Sequence, residues 1–192
     1  MMKIIRSQTP ALLSENWEDW GEKYEEQQRN KIKFTWQIES VNVRDEILQL
    51  LRNMTADHCS YCDGFPMESM LGDTIDHFKP KSIFPREAYK WENLFLCCYI
   101  CQKRINQFQD ILLKPDEIEY EFGKYFFYDT DTGEIQPNLK STPTDQNRAE
   151  YTIKIFKLNK YNRPKSRKMF FRNFAKAQNP IVEEYPYRFI LV

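Results

Sequence analysis

The chain lacks both a net charge and a long apolar run. Its 28 basic and 28 acidic residues give a formal net charge of zero, so a nucleic-acid partner would have to be held by a local basic face. No apolar stretch approaches the roughly 18 to 20 residues that a bilayer-spanning helix needs, and the opening MMKIIRSQTP has no signal-peptide core. We therefore expect a cytoplasmic protein without a membrane partner.

The composition indicates a packed protein rather than a disordered one. Hydrophobic residues make up 41% of the 192 residues, and aromatic residues alone make up 15%. A chain of this length is sufficient for a single domain with its own core. We expect an α+β protein in three parts: a helical N-terminal extension over 1–56, a central module over 57–110, and a C-terminal region over 111–192 with a hairpin and a basic helix.

All five cysteines lie in the central module, four of them in two Cys-x-x-Cys pairs. In a reducing cytosol such pairs favour metal thiolates over disulfides. Zinc prefers four ligands in a tetrahedron, and a tight Cys-x-x-Cys turn brings two thiolates to one ion. The spacing therefore predicts a structural zinc site at Cys59, Cys62, Cys98 and Cys101. Cys97 does not have the matching two-residue gap, and we expect it to fill space in the core.

An Asp-His step lies between the two cysteine pairs, as Asp76-His77. Residues 74–78 alternate like a short strand, and the Lys-Pro-Lys-Ser run at 79–82 turns the chain away. Neighbouring residues point to opposite faces of a strand, so Asp76 and His77 can serve one site only if the strand bends or ends there. An imidazole can deprotonate water, and a carboxylate suits Mg²⁺ or Mn²⁺. These are the groups that phosphodiester hydrolysis requires.

The order Cys-x-x-Cys, Asp-His-x-x-Pro-Lys, Trp-x-Asn-Leu, Cys-x-x-Cys over residues 59–107 resembles the HNH endonuclease family. The resemblance implies a zinc-stabilised ββα-metal (HNH) nuclease module with helical N- and C-terminal extensions. It implies that His77 is the general base and that Asp76 binds the catalytic divalent cation, Mg²⁺ or Mn²⁺. It further implies that Asn93 holds the loop that orients His77.

The last position of the motif, usually a histidine or asparagine that binds the metal, falls on Gln102. A glutamine oxygen can coordinate magnesium, but its extra methylene shifts that oxygen by more than about one ångström. Three alternatives are open: the site accepts Gln102, Asn106 one turn later contributes, or activity is low or depends on a partner. A helix over 102–109 is expected here.

The finer pattern, Asp-His-Phe-Lys-Pro-Lys followed by Tyr-Lys-Trp-Glu-Asn-Leu, resembles the HNH subgroup that includes PtuB of Septu anti-phage systems, found also as a retron effector. The resemblance implies an anti-phage nuclease in a complex with a PtuA-like ATPase. DNA is the favoured substrate, with RNA or tRNA as the alternative. The competing interpretation is a non-catalytic zinc-ribbon adaptor that binds nucleic acid or a partner protein.

No acidic residue occurs from 151 to 182, a stretch with nine basic residues. A helix over 164–177 is predicted, with one core face and one cationic face. That cationic face is either a track for the phosphate backbone or a surface that pairs with the acidic N-terminal helix or a partner protein. The candidate nucleic-acid contacts are Lys79, Lys81, Lys103, Arg104, Arg163, Lys165, Arg167, Lys168 and Arg172.

Overall fold

The computed structural model describes residues 1–38, 41–67, 74–104 and 107–191, which form a mixed α+β fold. The helices of these residues are α1 (Ala11–Ser14), α2 (Trp17–Arg29), α3 (Arg44–Thr55), α4 (Tyr99–Gln102), α5 (Phe122–Tyr125), α6 (Pro143–Ile155) and α7 (Arg163–Lys176). The strands are β1 (Gln37–Ile38), β2 (Val41–Asn42), β3 (Thr74–His77), β4 (Leu94–Cys97), β5 (Phe126–Tyr128) and β6 (Ile135–Pro137). They pair as three antiparallel ladders, β1–β2, β3–β4 and β5–β6.

The N-terminal helices pack against the loop between β3 and β4. A turn at residues 15 and 16 separates α1 from α2, and there the Asn16 side chain donates to the Leu12 carbonyl at 2.9 Å. In α2, Gly21 lies against the carbonyl of Arg86, and a Cβ there would overlap that oxygen. This close approach brings the aromatic side of α2 to the loop that follows His77.

The β3–β4 ladder lies at the centre of the protein. It pairs Asp76 with Phe95 and His77 with Leu94, and every residue of β4 is buried. One turn of helix, α4, follows directly. The helix expected over 102–109 is wrong in its extent: α4 ends at Gln102 and residues 107–109 are not helical. The chain leaves the helix where the Arg104 side chain turns inward to bond the Asp76 carboxylate.

The C-terminal region contains the β5–β6 hairpin, α6 and α7. The N-cap of α6 is Thr142, because Pro143 occupies the first helical position and Asp145 N–H donates to Thr142 Oγ1. Residues 185–191 dock on the protein through a 3₁₀ turn at Arg188–Ile190.

One hydrophobic core joins the three parts expected from the sequence. Its buried side chains include Leu13 and Leu51 from the N-terminal part, Phe95 from the centre, and Phe126 and Phe156 from the C-terminal part. Over the described ranges, every helix is too short or too polar to cross a membrane.

Candidate metal centre and adjacent cavity

Four buried cysteines meet where the Cys59–Cys62 turn, which we call the first knuckle, lies against the second cysteine pair at the start of α4. The sulfur atoms of Cys59, Cys62, Cys98 and Cys101 all lie within 4.8 Å of one another, as four ligands of one tetrahedral ion must. This is the set that the spacing predicts, and it could hold a structural metal such as zinc. Cys97 is also buried but lies outside the cluster, as expected. Burial raises the pKa of the Cys97 thiol well above its usual value, which keeps it protonated.

The backbone around the first pair forms a tight turn. Asp63 N–H donates to the Cys59 carbonyl at 2.8 Å, and Cys59 N–H donates to the Gly64 carbonyl at 2.9 Å. Across the cluster, the backbone N–H of Cys98 donates to the sulfur of Cys59 at 3.4 Å. A backbone donor aimed at a sulfur stabilises the thiolate form.

A buried arginine contacts two of the sulfurs. Arg163, the first residue of α7, lies 3.5 Å from Cys98 Sγ and 3.3 Å from Cys101 Sγ through Nη2. Its Nη1 donates to the Phe156 carbonyl, and no carboxylate of the described residues lies within 4 Å. A buried guanidinium without a carboxylate requires negative charge from another source. Deprotonated cysteines would supply it, since four thiolates around a bound Zn²⁺ would carry a net charge of −2.

His58 precedes the first cysteine and lies in the interior of the protein. The side chain is fully buried and stacks on Phe65, with ring centroids 4.4 Å apart. Its Nε2 faces the Tyr185 carbonyl at 3.0 Å. His58 therefore joins the first knuckle to the C-terminal segment and is not part of the four-sulfur cluster.

Asp76, in β3, forms a buried ion pair with Arg104. Its Oδ2 accepts hydrogen bonds from Arg104 Nη2 at 2.7 Å and from the Tyr61 hydroxyl at 2.8 Å. Burial raises the pKa of the Asp76 carboxyl, and Arg104 opposes this effect. Among the described residues, Oδ1 receives no donor, so one carboxylate oxygen stays open to a ligand.

His77 is buried among aromatic rings. Its imidazole stacks on Trp36 with centroids 5.6 Å apart and meets Phe34 edge-on at 5.3 Å. The Nε2 atom lies 2.9 Å from the Ala88 carbonyl. Burial, with a smaller effect of the positive charge on Lys81, lowers the pKa of His77 to about 3.

Asn93 fastens both ends of the loop after β3. Its Oδ1 accepts from Lys79 N–H at 2.7 Å, and its Nδ2 donates to the carbonyls of Lys79 and Glu87 at 3.1 and 3.0 Å. Since Ala88 follows Glu87 directly, these bonds also fix the carbonyl that holds His77. The geometry agrees with the loop-holding role that the resemblance implies.

Asp76, His77 and Gln102 line one cavity of about 520 Å³. Two neighbouring strand residues reach the same cavity because β3 ends at His77. Gln102 donates from Nε2 to Thr74 Oγ1 at 2.9 Å, which leaves its amide oxygen without a donor among the described residues. Asn106, the alternative ligand, lies outside the described residues.

The basic candidates divide into two groups. Arg163 and Arg167 are buried and bond inside the protein, which corrects their assignment as nucleic-acid contacts, whereas Arg104 is buried but lines the cavity. The cavity is lined by Lys81 and Lys103, and Lys79 pairs with Glu87 at 2.8 Å. The outer side of α7 carries the remaining three candidates, Lys165, Lys168 and Arg172.

Sequence reasoning missed the partners that complete these sites. Trp36 and Phe34 precede His77 by about 40 residues, and their aromatic character was the only signal available. Tyr61 lies inside the first Cys-x-x-Cys pair, which identifies the cysteines but not the hydroxyl bonded to Asp76. No local sequence pattern predicts that Arg163 points inward to the cysteines, because a basic residue in a basic stretch is expected to be solvent-exposed.

No protein-family model matches the chain, and a search of curated proteins returns no significant match. The functional interpretation therefore depends on the residues and geometry of the chain itself.

Proposed function

We propose that this protein is a metal-dependent HNH endonuclease that hydrolyses nucleic-acid phosphodiester bonds, built on a zinc-stabilised ββα-metal module. The observation that carries the proposal is the single cavity lined by His77, Asp76 and Gln102, beside a cluster of four cysteines. The succession of β3, β4 and α4 supports a ββα-metal arrangement. Arg163 supports the thiolate form of the cluster, which a bound Zn²⁺ requires.

His77 is suited to the role of general base. A carbonyl oxygen only accepts hydrogen bonds, so the contact with Ala88 puts the ring proton on Nε2 and leaves Nδ1 with a lone pair. Because its pKa is about 3, the imidazole is neutral at physiological pH. A phosphate beside Lys81 would offset the lysine charge and make the imidazole a stronger base for a water proton.

The donor set in the cavity fits a hard divalent cation. Asp76 Oδ1 and the amide oxygen of Gln102 are oxygen ligands of the kind that Mg²⁺ or Mn²⁺ prefers. When bound, such an ion would stabilise negative charge on the phosphate and the leaving oxygen. Lys81 and Lys103 add two positive charges to the lining, which favours a phosphate ligand. The Lys81 ammonium also lies 4.8 Å from the centre of the Phe34 ring.

The proposal includes a biological setting that comes from resemblance. The Asp-His-Phe-Lys-Pro-Lys and Trp-Glu-Asn-Leu segments resemble PtuB-like nucleases, so we propose a PtuA-like ATPase as partner and defence against phage as the role. DNA is the first substrate to test, followed by RNA including tRNA.

Cleavage assays with His77→Ala test the nuclease proposal. We expect the wild type to cleave in Mg²⁺ but not in its absence, and His77→Ala to be at least about 100-fold slower. Lys140→Ala, at an exposed lysine in the loop between β6 and α6, should cleave like the wild type. The substrates are single-stranded DNA, duplex DNA and RNA. Each is tested with the chain alone and with the chain co-purified with the proposed PtuA-like ATPase. Equal rates for wild type and His77→Ala would overturn the proposal.

A second function is favoured by one observation, the ion pair between Arg104 and Asp76. Its 2.7 Å contact occupies one oxygen of the proposed metal ligand, as expected of a non-catalytic zinc-ribbon adaptor. Such an adaptor would bind nucleic acid or a partner protein equally well as the wild type and as the His77→Ala variant, and neither form would cleave in Mg²⁺. The same set of assays distinguishes the two functions.

A further inference from the structure

The outer side of α7 carries a row of cations. Lys165, Lys168, Arg172 and Lys176 follow one another at steps of three and four residues, which keeps them on one side of the helix. They line a groove of about 900 Å³, and no Asp or Glu is among its lining residues. The groove is a different surface from the cavity at Asp76 and His77, with which it shares no lining residue.

Among the described residues, the four cations have no carboxylate partner. No carboxylate oxygen within those ranges lies within 4 Å of any of them, whereas Arg148 pairs with Glu117 at 2.8 Å and Arg188 with Asp63 at 2.7 Å. The nearby hairpin turn supplies a carbonyl, since Lys168 Nζ donates to the backbone oxygen of Asp131. The Lys168 charge also contributes, after hydrogen bonds from Thr132, to a lowered pKa of Asp129.

The acidic N-terminal helix does not neutralise this surface. On α2, Glu22 and Glu25 pair with Arg86, and Glu25 also pairs with Arg29. These two carboxylates of α2 are therefore paired elsewhere and do not cover the cationic face of α7. In a chain with zero net charge, the α7 row is a local excess of positive charge.

Buried contacts of α7 hold the row of cations in place. Arg167 points inward from the same helix and donates to the carbonyls of Gly133 and Leu158, each at 2.8 Å. Arg163 is held by the cysteine cluster at the start of the helix. The two buried guanidinium groups fix the rotation of α7, so Lys165 and Arg172 are kept on the outside.

We propose that this groove, which we call the α7 groove, binds the phosphate backbone of a nucleic acid. The first and last cation are eleven positions apart, about 16 Å along a helix that rises about 1.5 Å per residue. That length spans about five phosphate steps of one strand, given about 3.4 Å per phosphate along a duplex axis, so each of the four cations can meet its own phosphate. Contacts of this kind position a nucleic acid without reading its sequence. The proposal does not depend on cleavage by the protein.

The test measures binding of fluorescent oligonucleotides in Mg²⁺-free buffer at several salt concentrations. The probes are one 20-nucleotide sequence as single-stranded DNA, as RNA and as duplex DNA. The test variant is Lys165→Glu with Arg172→Glu, and Lys165→Gln with Arg172→Gln repeats it with a smaller charge change. The control is Lys124→Glu with Lys140→Glu, which makes the same charge change at exposed lysines outside the groove.

For four phosphate contacts, the slope of log K against log salt should be about −2.8 for single strands and −3.6 for the duplex. The variant Lys165→Glu with Arg172→Glu should bind at least about tenfold more weakly at 0.1 M salt. Its salt slope should be shallower by the contribution of about two phosphate contacts. The control should bind within about threefold of wild type, and zinc content should be equal in all variants. Equal losses in the test and control variants would overturn the proposal. Failure of the wild type to bind any probe would also overturn it and would favour an acidic protein partner.

Discussion

At the residue scale, Arg163 shows how one side chain can serve the metal centre without binding the metal. It contacts Cys98 and Cys101 through one nitrogen and the Phe156 carbonyl through another. Attraction to the cluster sulfurs outweighs burial and raises the pKa of its guanidinium above the usual value. The positive charge is therefore permanent, and it would compensate part of the negative charge of thiolates around a bound metal.

We predict that Arg163→Met weakens zinc binding by about 10- to 100-fold, the usual effect of removing a group that bonds to metal ligands. The zinc affinity of Arg163→Lys should lie between those of the wild type and Arg163→Met, because lysine keeps the charge but cannot make the same set of contacts. Zinc affinity is measured by competition with a chromogenic chelator. Arg172→Met, on the exposed side of the same helix, should bind zinc like the wild type. A zinc affinity unchanged in Arg163→Met would refute the charge argument.

The buried imidazole of His77 should make stability fall with acid. Its pKa is about 3 in the folded protein and about 6.5 in an unfolded chain, so the unfolded state binds the proton first. The contribution of neutral His77 is complete above pH 6.5 and is lost as pH falls toward 3, by up to about 1.4 kcal/mol per unit.

We therefore predict that wild type loses about 1 kcal/mol more unfolding free energy than His77→Gln between pH 6.5 and 5.5. Urea titrations at the two pH values measure the difference. Acid release of zinc affects both proteins and cancels in the comparison. Parallel losses in the two proteins would mean that His77 is not held neutral by burial.

At the scale of elements, the β5–β6 hairpin supports α7 through its turn. Gly133 has a φ of +78°, a conformation that side chains with a Cβ rarely adopt, and a Cβ there would overlap the Pro164 carbonyl. Its own carbonyl accepts from Arg167. The hairpin turn, the start of α7 and a buried arginine thus form one packed unit beside the cysteine cluster.

We predict that Gly133→Ala destabilises the protein by about 2 to 4 kcal/mol, from the backbone strain and the overlap together. Gly123→Ala is the matched control: it lies in α5, where an added Cβ meets no described atom within 4 Å. That substitution should be neutral or stabilising by up to about 1 kcal/mol. Thermal or urea unfolding of both variants provides the measurement, and equal stabilities would contradict the packing shown for the turn.

At the scale of the whole molecule, the cysteine cluster connects segments that are distant in the chain. The first knuckle holds the C-terminal segment through Asp63, whose carboxylate accepts from Arg188 Nη2 at 2.7 Å and whose carbonyl accepts from Tyr187 N–H at 2.8 Å. The second pair holds α7 through Arg163. A metal in the cluster would therefore stabilise much of the C-terminal half.

We predict that removal of the metal by a chelator loosens residues 185–191 and the first turn of α7, together with both knuckles. Hydrogen exchange with mass spectrometry, before and after chelation, should show lost protection in these segments. Helix α2 has its contacts at the turn around Arg86 and should keep its protection. Loss of protection across the whole chain, or in no segment, would contradict this division.

Sequence patterns predicted the local features well, because each depends on a few adjacent residues. The four cluster cysteines were identified from the spacing of two pairs, and the tight turns required by that spacing are formed. Helix α7, predicted over 164–177 from apolar periodicity, forms over Arg163–Lys176. The fold class, α+β, followed from the same patterns.

Only the tertiary structure decided what the charged residues do. Arg104, Arg163 and Arg167 look like solvent-exposed cations in the sequence, yet each is buried and bonded to groups distant in the chain. Exposure is set by which side of an element faces the core, and a partner 28 or more residues away leaves no local trace. The sequence by itself determined the cysteine ligands and the Asp76-His77 step. Folding decided that Asp76, His77 and Gln102 share a cavity, and that Lys165, Lys168, Arg172 and Lys176 remain outside, because only chain packing brings together or separates such residues.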